Sequence, residues 1–246
     1  MSNFGELKTA YFDHLQITPT SGHVDLSEGE RHLNEAMREL HSLIAGKFEG
    51  FFETSALLNE VSGATEIALP TNLLRINRLR RLAGHGASAT NPLPMHRVAR
   101  SNADTVVSTT AADYGVYSAG QANHLVYYPR GQKMIVLVIP AAANRTGSLE
   151  LFYTYRPATM TADAHTPYQE VAGAGGAGLD NLEDWHHLIW MRACLKAMSK
   201  EDDMATYQMH KQNTAEAMEE MWMALALIDQ SPRYMTVPED QHPFFD

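Results

Sequence analysis

At 246 residues, with 44% hydrophobic and 20% charged side chains, the chain can bury a real core and is neither disordered nor fibrous. A formal net charge of −10 argues against a protein that grips nucleic acid, because phosphate binding relies on clustered Lys and Arg. The single cysteine, Cys194, cannot form an internal disulfide, and in its apolar helical setting it reads as a small buried hydrophobe.

The start, MSNFGELKTAYFDHL, lacks the basic beginning, apolar centre and small-residue cleavage site of a signal peptide. It reads instead as an amphipathic helix over about 3–16, with Phe4, Leu7, Tyr11 and Leu15 on one face. Thr18-Pro19-Thr20-Ser21-Gly22 stops it. Ser27 and Glu30 then fit an S-x-x-E capping box. Behind it Leu33, Met37, Leu40 and Ile44 alternate at helical spacing.

From about residue 65 the period changes to two. Strands are expected at Thr65–Leu69, Leu73–Leu82, Thr105–Thr109, Tyr114–Tyr117, His124–Tyr128, Lys133–Ile139 and Ser148–Tyr155. Pro129-Arg130-Gly131-Gln132 and Asn144-Arg145-Thr146-Gly147 read as turns, and Gly84–Pro94 as a loop. In the last strand Leu149, Leu151, Tyr153 and Tyr155 share a face. With no helices between them, the strands imply a meander-like antiparallel region. The longest apolar stretch, Met134–Ala143, contains Pro140 and is too short to span a bilayer. No membrane partner is implied, and folding in a cytoplasm is expected.

Residues 156–181 read as a flexible connector that ends in a Gly/Ala run. Helix returns at about 182–199, with Trp185, Leu188, Ile189, Leu195 and Met198 inward, and again at about 202–229. In the latter Tyr207, Lys211, Thr214, Met218, Met221, Leu225 and Ile228 alternate by four and three, which is a packing seam. Ser231-Pro232 ends it. The tail beyond carries Arg233, Tyr234, Met235, Val237, Phe244 and Phe245, more large apolar groups than a purely solvated end needs.

The expected fold class is α+β: a helical bundle from both chain ends, an inserted antiparallel β domain and an extended C-terminal arm. The division is 1–62 for the first bundle helices, 63–160 for the β domain and 161–181 for the linker. Residues 182–230 supply the closing helices and 231–246 the arm.

Motifs for chemistry are incomplete. Gly173, Gly175 and Gly178 fit G-x-G-x-x-G, but no parallel βαβ unit surrounds them, so a linker is the better reading. Glu183 and His186 fit one half of a di-iron element, which needs a second copy and two further glutamates. No H-E-x-x-H or G-x-S-x-G occurs. The carboxylates of Glu201-Asp202-Asp203 and Glu219-Glu220 read as solvated. No catalytic, cofactor or metal residues are expected. Arg75, Arg78, Arg80 and Arg81 are the one dense basic patch. They read either as a solvated strand face or as an intersubunit or channel surface, since arginines this dense usually need partners.

Three segments in order, TEIALPTNLLRINRLRRL, YYPRGQKMIVLVIPAAANRTGSLELFYTYRPATMTAD and LDNLEDWHHLIWMRACLKAMSKED, resemble the head-to-tail adaptor proteins of tailed bacteriophages. That resemblance implies a structural, non-enzymatic virion protein at the head–tail junction, assembled in the host cytoplasm and without a cofactor. It implies a dodecameric ring that docks on the portal, receives the tail nozzle and in some members fibres, and lets double-stranded DNA pass without specific binding. It also gives the tail a direction: Arg233, Tyr234, Met235, Val237, Phe244 and Phe245 would dock on the portal or a neighbour. The Gly/Ala linker, 172–178, and the Gly84–Pro94 loop depart from the pattern. A β-rich receptor- or fibre-binding tail module and a cell-wall hydrolase are the rival readings. The first leaves the heptad seam unexplained, and the second lacks a carboxylate pair in a cleft.

Overall fold

The computed structural model describes residues 3–18, 24–48, 50–82, 93–97, 126–131, 134–137, 144–171, 180–199 and 204–228. It is α+β, and the chain divides into two compact units, Met1–Ala36 with Asp180–Asp246, and Met37–Leu179.

The first unit is helical. Helix α1 (Phe4–Leu15) opens with a capping box, in which the Asn3 side chain accepts from the Glu6 N–H and Glu6 accepts from that of Asn3. It buries Phe4, Leu7, Tyr11 and Phe12. Helix α2 (Leu26–Lys47) passes its residues up to Ala36 to this unit. Its cap is Asp25, whose carboxylate accepts from the Glu28 N–H at 2.7 Å, and not Ser27 as the capping-box pattern suggested. Ser27 and Glu30 lie inside the helix, which starts at Leu26 because Asp25, two residues earlier, caps it. A 3₁₀ turn (Asp180–Trp185) leads into helix α3 (His187–Met198), which packs on α1 and on helix α4 (Met204–Ile228). Helix α3 buries Leu188, Ile189, Cys194 and Met198, whereas Trp185 and Leu195 are only half-buried.

Among its described residues the second unit holds two four-stranded sheets, ordered β1-β8-β3-β4 and β2-β7-β6-β5. The strands are β1 (Glu53–Glu60), β2 (Glu66–Ala68), β3 (Leu73–Arg81), β4 (Leu93–Pro94), β5 (His96–Arg97), β6 (Val126–Arg130), β7 (Met134–Leu137) and β8 (Arg145–Tyr155). Pairing is antiparallel except for the two-residue β5–β6 contact, which is parallel. The long strand β8 sits between β1 and β3, and Leu149, Leu151, Tyr153 and Tyr155 are buried together on one of its faces. In the same unit, His41 of α2 stacks on Phe52 at 4.0 Å between centroids, and Phe52 meets Tyr155 and Tyr168.

Three expectations need correction here. Residues 53–60 form strand β1, not an extension of the N-terminal helices, because their backbone groups are taken up by β8 from Glu53↔Thr154 to Leu58↔Leu149. Asn144-Arg145-Thr146-Gly147 is not a free turn. Strand β8 already starts at Arg145, and Gly147, at φ +59°, lies in a bulged stretch that the Asn59 side chain holds by accepting from its N–H. Residues 156–171 are not a flexible connector. Tyr155 donates its hydroxyl to the Tyr168 carbonyl, Tyr153 donates to Glu170, and Met160 and Tyr168 are buried. The proposed strands at Thr105–Thr109 and Tyr114–Tyr117, the Gly/Ala run 172–178 and the arm 231–246 lie outside the described residues.

Candidate functional site

Strand β3 carries the arginines, and two register shifts decide where they point. Opposite β8, Arg75 pairs with Thr154 and Ile76 with Tyr153. Arg78 then pairs with Phe152, Leu79 with Leu151, Arg80 with Glu150 and Arg81 with Leu149. The extra residues, Leu74 and Asn77, reset the two-residue period. Arg75, Arg78 and Arg80 therefore share a face with Thr154, Phe152 and Glu150, while Arg81 lies on the core face.

The outward face is a polar network. Arg80 meets Glu150 at 2.5 Å, and Arg78 reaches Glu53 of β1 at 3.7 Å. The Arg78 and Arg80 guanidinium groups both lie over the Phe152 ring, at 3.8 and 4.7 Å from its centroid. Asn77 donates to Glu53 at 2.8 Å, and its oxygen accepts from Arg75 and from the Thr154 hydroxyl. Among the described residues Arg75 has no carboxylate partner, and Arg75 and Arg78 are both exposed. On the same face Leu57 of β1 is 53% exposed. On the core face Arg81 grips Glu60 with two nitrogens, at 2.5 and 3.2 Å, and the Glu60 side chain is only 1% exposed. The density of the four arginines is legible in the sequence, but their division between two faces is not, because bulges leave no hydropathy signature.

Helix α4 is the second surface. Of the expected seam, Thr214, Met221 and Leu225 are buried, Tyr207 and Met218 are half-buried, and Lys211 and Ile228 are exposed. The buried face also takes His210, one residue before Lys211. Its Nε2 donates to the Met191 carbonyl at 2.9 Å, so its Nδ1 is free to accept from His14 Nε2 at 3.2 Å. Burial first, and then His210, hold the His14 imidazole below its ordinary range. A step of three from Tyr207 reaches His210 as readily as a step of four reaches Lys211, so spacing alone could not choose. Met209, Met223 and Leu227 stand exposed on the same helix, as do Glu216, Glu219 and Glu220.

Groups weighed for chemistry are differently placed. Cys194 is fully buried, and burial pushes its thiol up to about 12, away from any thiolate role. His186 is buried and Glu183 half-buried. Among the described residues no group of three His, Cys, Asp or Glu converges to hold a metal ion, and no helix is long and apolar enough to cross a membrane. Gly173, Gly175, Gly178 and the arm residues Arg233, Tyr234, Met235, Val237, Phe244 and Phe245 lie outside the described residues, as do Glu201, Asp202 and Asp203.

The family model described as SU10 adaptor protein matches residues 2–239, nearly the whole chain, in agreement with the resemblance drawn from the order of its motifs. No curated protein matches the chain.

Proposed function

We propose that this chain, which belongs to the SU10 adaptor protein family and is a structural component of phage virions, forms the ring that joins the portal to the tail and lines part of the DNA exit channel. The observation that carries this reading is the family match over residues 2–239. A net charge of −10 suits a wall past which DNA slides, since it repels phosphate. In this reading the protein works without catalysis or a cofactor, holds portal and tail nozzle together with tail fibres where present, and assembles in the host cytoplasm.

Of the four arginines, Arg75 and Arg78 carry the intersubunit or channel role, because they stand exposed while Arg80 and Arg81 are drawn in against Glu150 and Glu60. Arg233, Tyr234, Met235, Val237, Phe244 and Phe245 form the docking arm against the portal or a neighbouring copy. Burying two phenylalanines contributes about 3–6 kcal/mol per copy, less an ordering cost of about 1–2 kcal/mol for each residue fixed. Single arms therefore bind weakly and a ring of them holds by avidity.

The test is negative-stain imaging of the full chain mixed with purified portal rings. Decorated portals are expected, and a chain lacking 233–246 should keep its circular dichroism spectrum but leave portals bare. Portals left bare by the full chain would overturn the reading. Wild-type decoration by the truncated chain would overturn the arm.

A further inference from the structure

The outward face of α4 and the outward face of the β1-β8-β3 sheet match each other in charge, in apolar content and in spacing. By helical geometry Glu216, Glu220, Met223 and Leu227 lie within about 40° of the direction opposite Leu225, so they form one stripe away from the buried seam. Met223 and Leu227 are 63% and 69% exposed, and among the described residues neither Glu216 nor Glu220 has a cationic partner. The sheet face offers the complement, with Arg75 and Arg78 exposed on β3 and Leu57 exposed on β1, across β8 from them.

The spacings agree. Arg75 and Arg78 sit opposite Thr154 and Phe152, two residues apart on β8, and Leu57 lies in the Glu150 row, two residues further. At about 3.3 Å per residue the second arginine lies about 7 Å from Arg75, and Leu57, about 13 Å along the face and two strands or about 10 Å across it, lies about 16 Å away. On α4, at 1.5 Å per residue, Glu220, Met223 and Leu227 lie about 6, 10 and 16 Å from Glu216. Two carboxylates followed by two apolar side chains thus face two guanidinium groups followed by a leucine. Glu53 and Glu150 stand among the arginines, so the face is mixed in charge and suits a partner that brings apolar groups to Leu57 as well as carboxylates to Arg75 and Arg78 better than it suits a phosphate backbone. Two helices α4 fit each other less well, because a parallel pair would bring their glutamates together and an antiparallel pair would lay Glu216 and Glu220 on the apolar Leu227 and Met223.

We propose that the outward face of α4 in one copy docks on the Arg75–Arg78–Leu57 face of the sheet in the next copy. The two surfaces differ, so the contact is head-to-tail, the kind that closes into a ring or runs on as a filament. The inference rests on the ring reading above and names the surfaces that would build it.

The test uses full chains carrying Leu57→Cys or Leu227→Cys, mixed and treated with a short bis-maleimide, since the native Cys194 is buried. A cross-linked dimer is expected from the mixed pair and not from either variant alone. Arg75→Glu/Arg78→Glu added to the first chain should lower its yield about tenfold, and Glu216→Arg/Glu220→Arg in the second should restore it. If copies associate by light scattering but the mixed pair does not cross-link, the surfaces are wrong and the ring reading survives. If no association occurs alone or on portal rings, both fail. Duplex DNA binding abolished by Arg75→Glu/Arg78→Glu, with no cross-link, would assign the face to DNA and overturn the proposal.

Discussion

Phe12 lies against the bare backbone of Gly29, so close that a Cβ built on the glycine would stand 2.6 Å from the ring Cζ and 3.1 Å from Cε1 of Tyr11. Helices α1 and α2 therefore approach where one has no side chain. In an open helix Gly→Ala stabilises by about 1 kcal/mol. At Gly29 the rings must move instead, and overpacking costs about 1–3 kcal/mol. Gly29→Ala should lower the melting temperature of the full chain, and Phe12→Leu should recover part of the loss. Gly46, with nothing within 4 Å of its would-be Cβ, is the control, and Gly46→Ala should raise it. A rise in both variants would mean that the helices do not meet at Gly29.

The Glu60–Arg81 pair joins β1 to β3 over the intervening β8, with the carboxylate almost fully buried. Removing one partner strands the other charge, so Glu60→Gln should destabilise by about 3–5 kcal/mol in urea titrations. Glu60→Leu/Arg81→Met removes both charges and should cost much less than the sum of the single changes. Additive losses would show that the two side chains act independently.

His41 gives stability a pH dependence that can be isolated. Burial holds its imidazole down at about 4, from an ordinary value of 6.5, against a smaller upward pull from the Tyr155 backbone. The folded state thus refuses a proton that the unfolded chain accepts. Its contribution is intact above pH 6.5 and is lost as pH falls toward 4, by a total of about 3 kcal/mol. His41→Phe keeps a ring against Phe52 but cannot titrate. The stability of the native chain minus that of this variant should fall between pH 6.5 and 4 and be flat above. A flat difference throughout would mean that His41 takes its proton as readily folded as unfolded.

Helices and strands were legible where one periodicity ran uninterrupted. Leu149, Leu151, Tyr153 and Tyr155 alternate cleanly, and all four are buried. Strand β1 was not legible, because Leu57 and Leu58 are adjacent and point to opposite faces of an edge strand, which blurs alternation. The same holds for the arginine surface, where Leu74 and Asn77 shift the register. Asp25 and Ser27 both satisfy a cap pattern, and only the backbone bond to Asp25 decides. The 156–171 segment looked like a linker because its anchors are tyrosine hydroxyls and a Pro-Tyr turn with Tyr168 at φ +62°, none of which makes a periodic pattern.

Leu225 and Leu227 are two residues apart on α4 and have opposite surroundings. Leu225 is fully buried beside Met221, and Leu227 is 69% exposed. Leu225→Ala should destabilise the chain by about 2–5 kcal/mol, from lost burial and the cavity left behind. Leu225→Asp should leave little folded protein, because a carboxylate would enter an apolar seam. Leu227→Asp should stay within about 0.5 kcal/mol of the native chain in the same urea titration, and its effect should appear instead in association between copies. Native stability in Leu225→Ala would deny the packed seam. A loss in Leu227→Asp as large as that in Leu225→Asp would show that the outward face is already covered within one subunit, and so could not be the surface that meets the next.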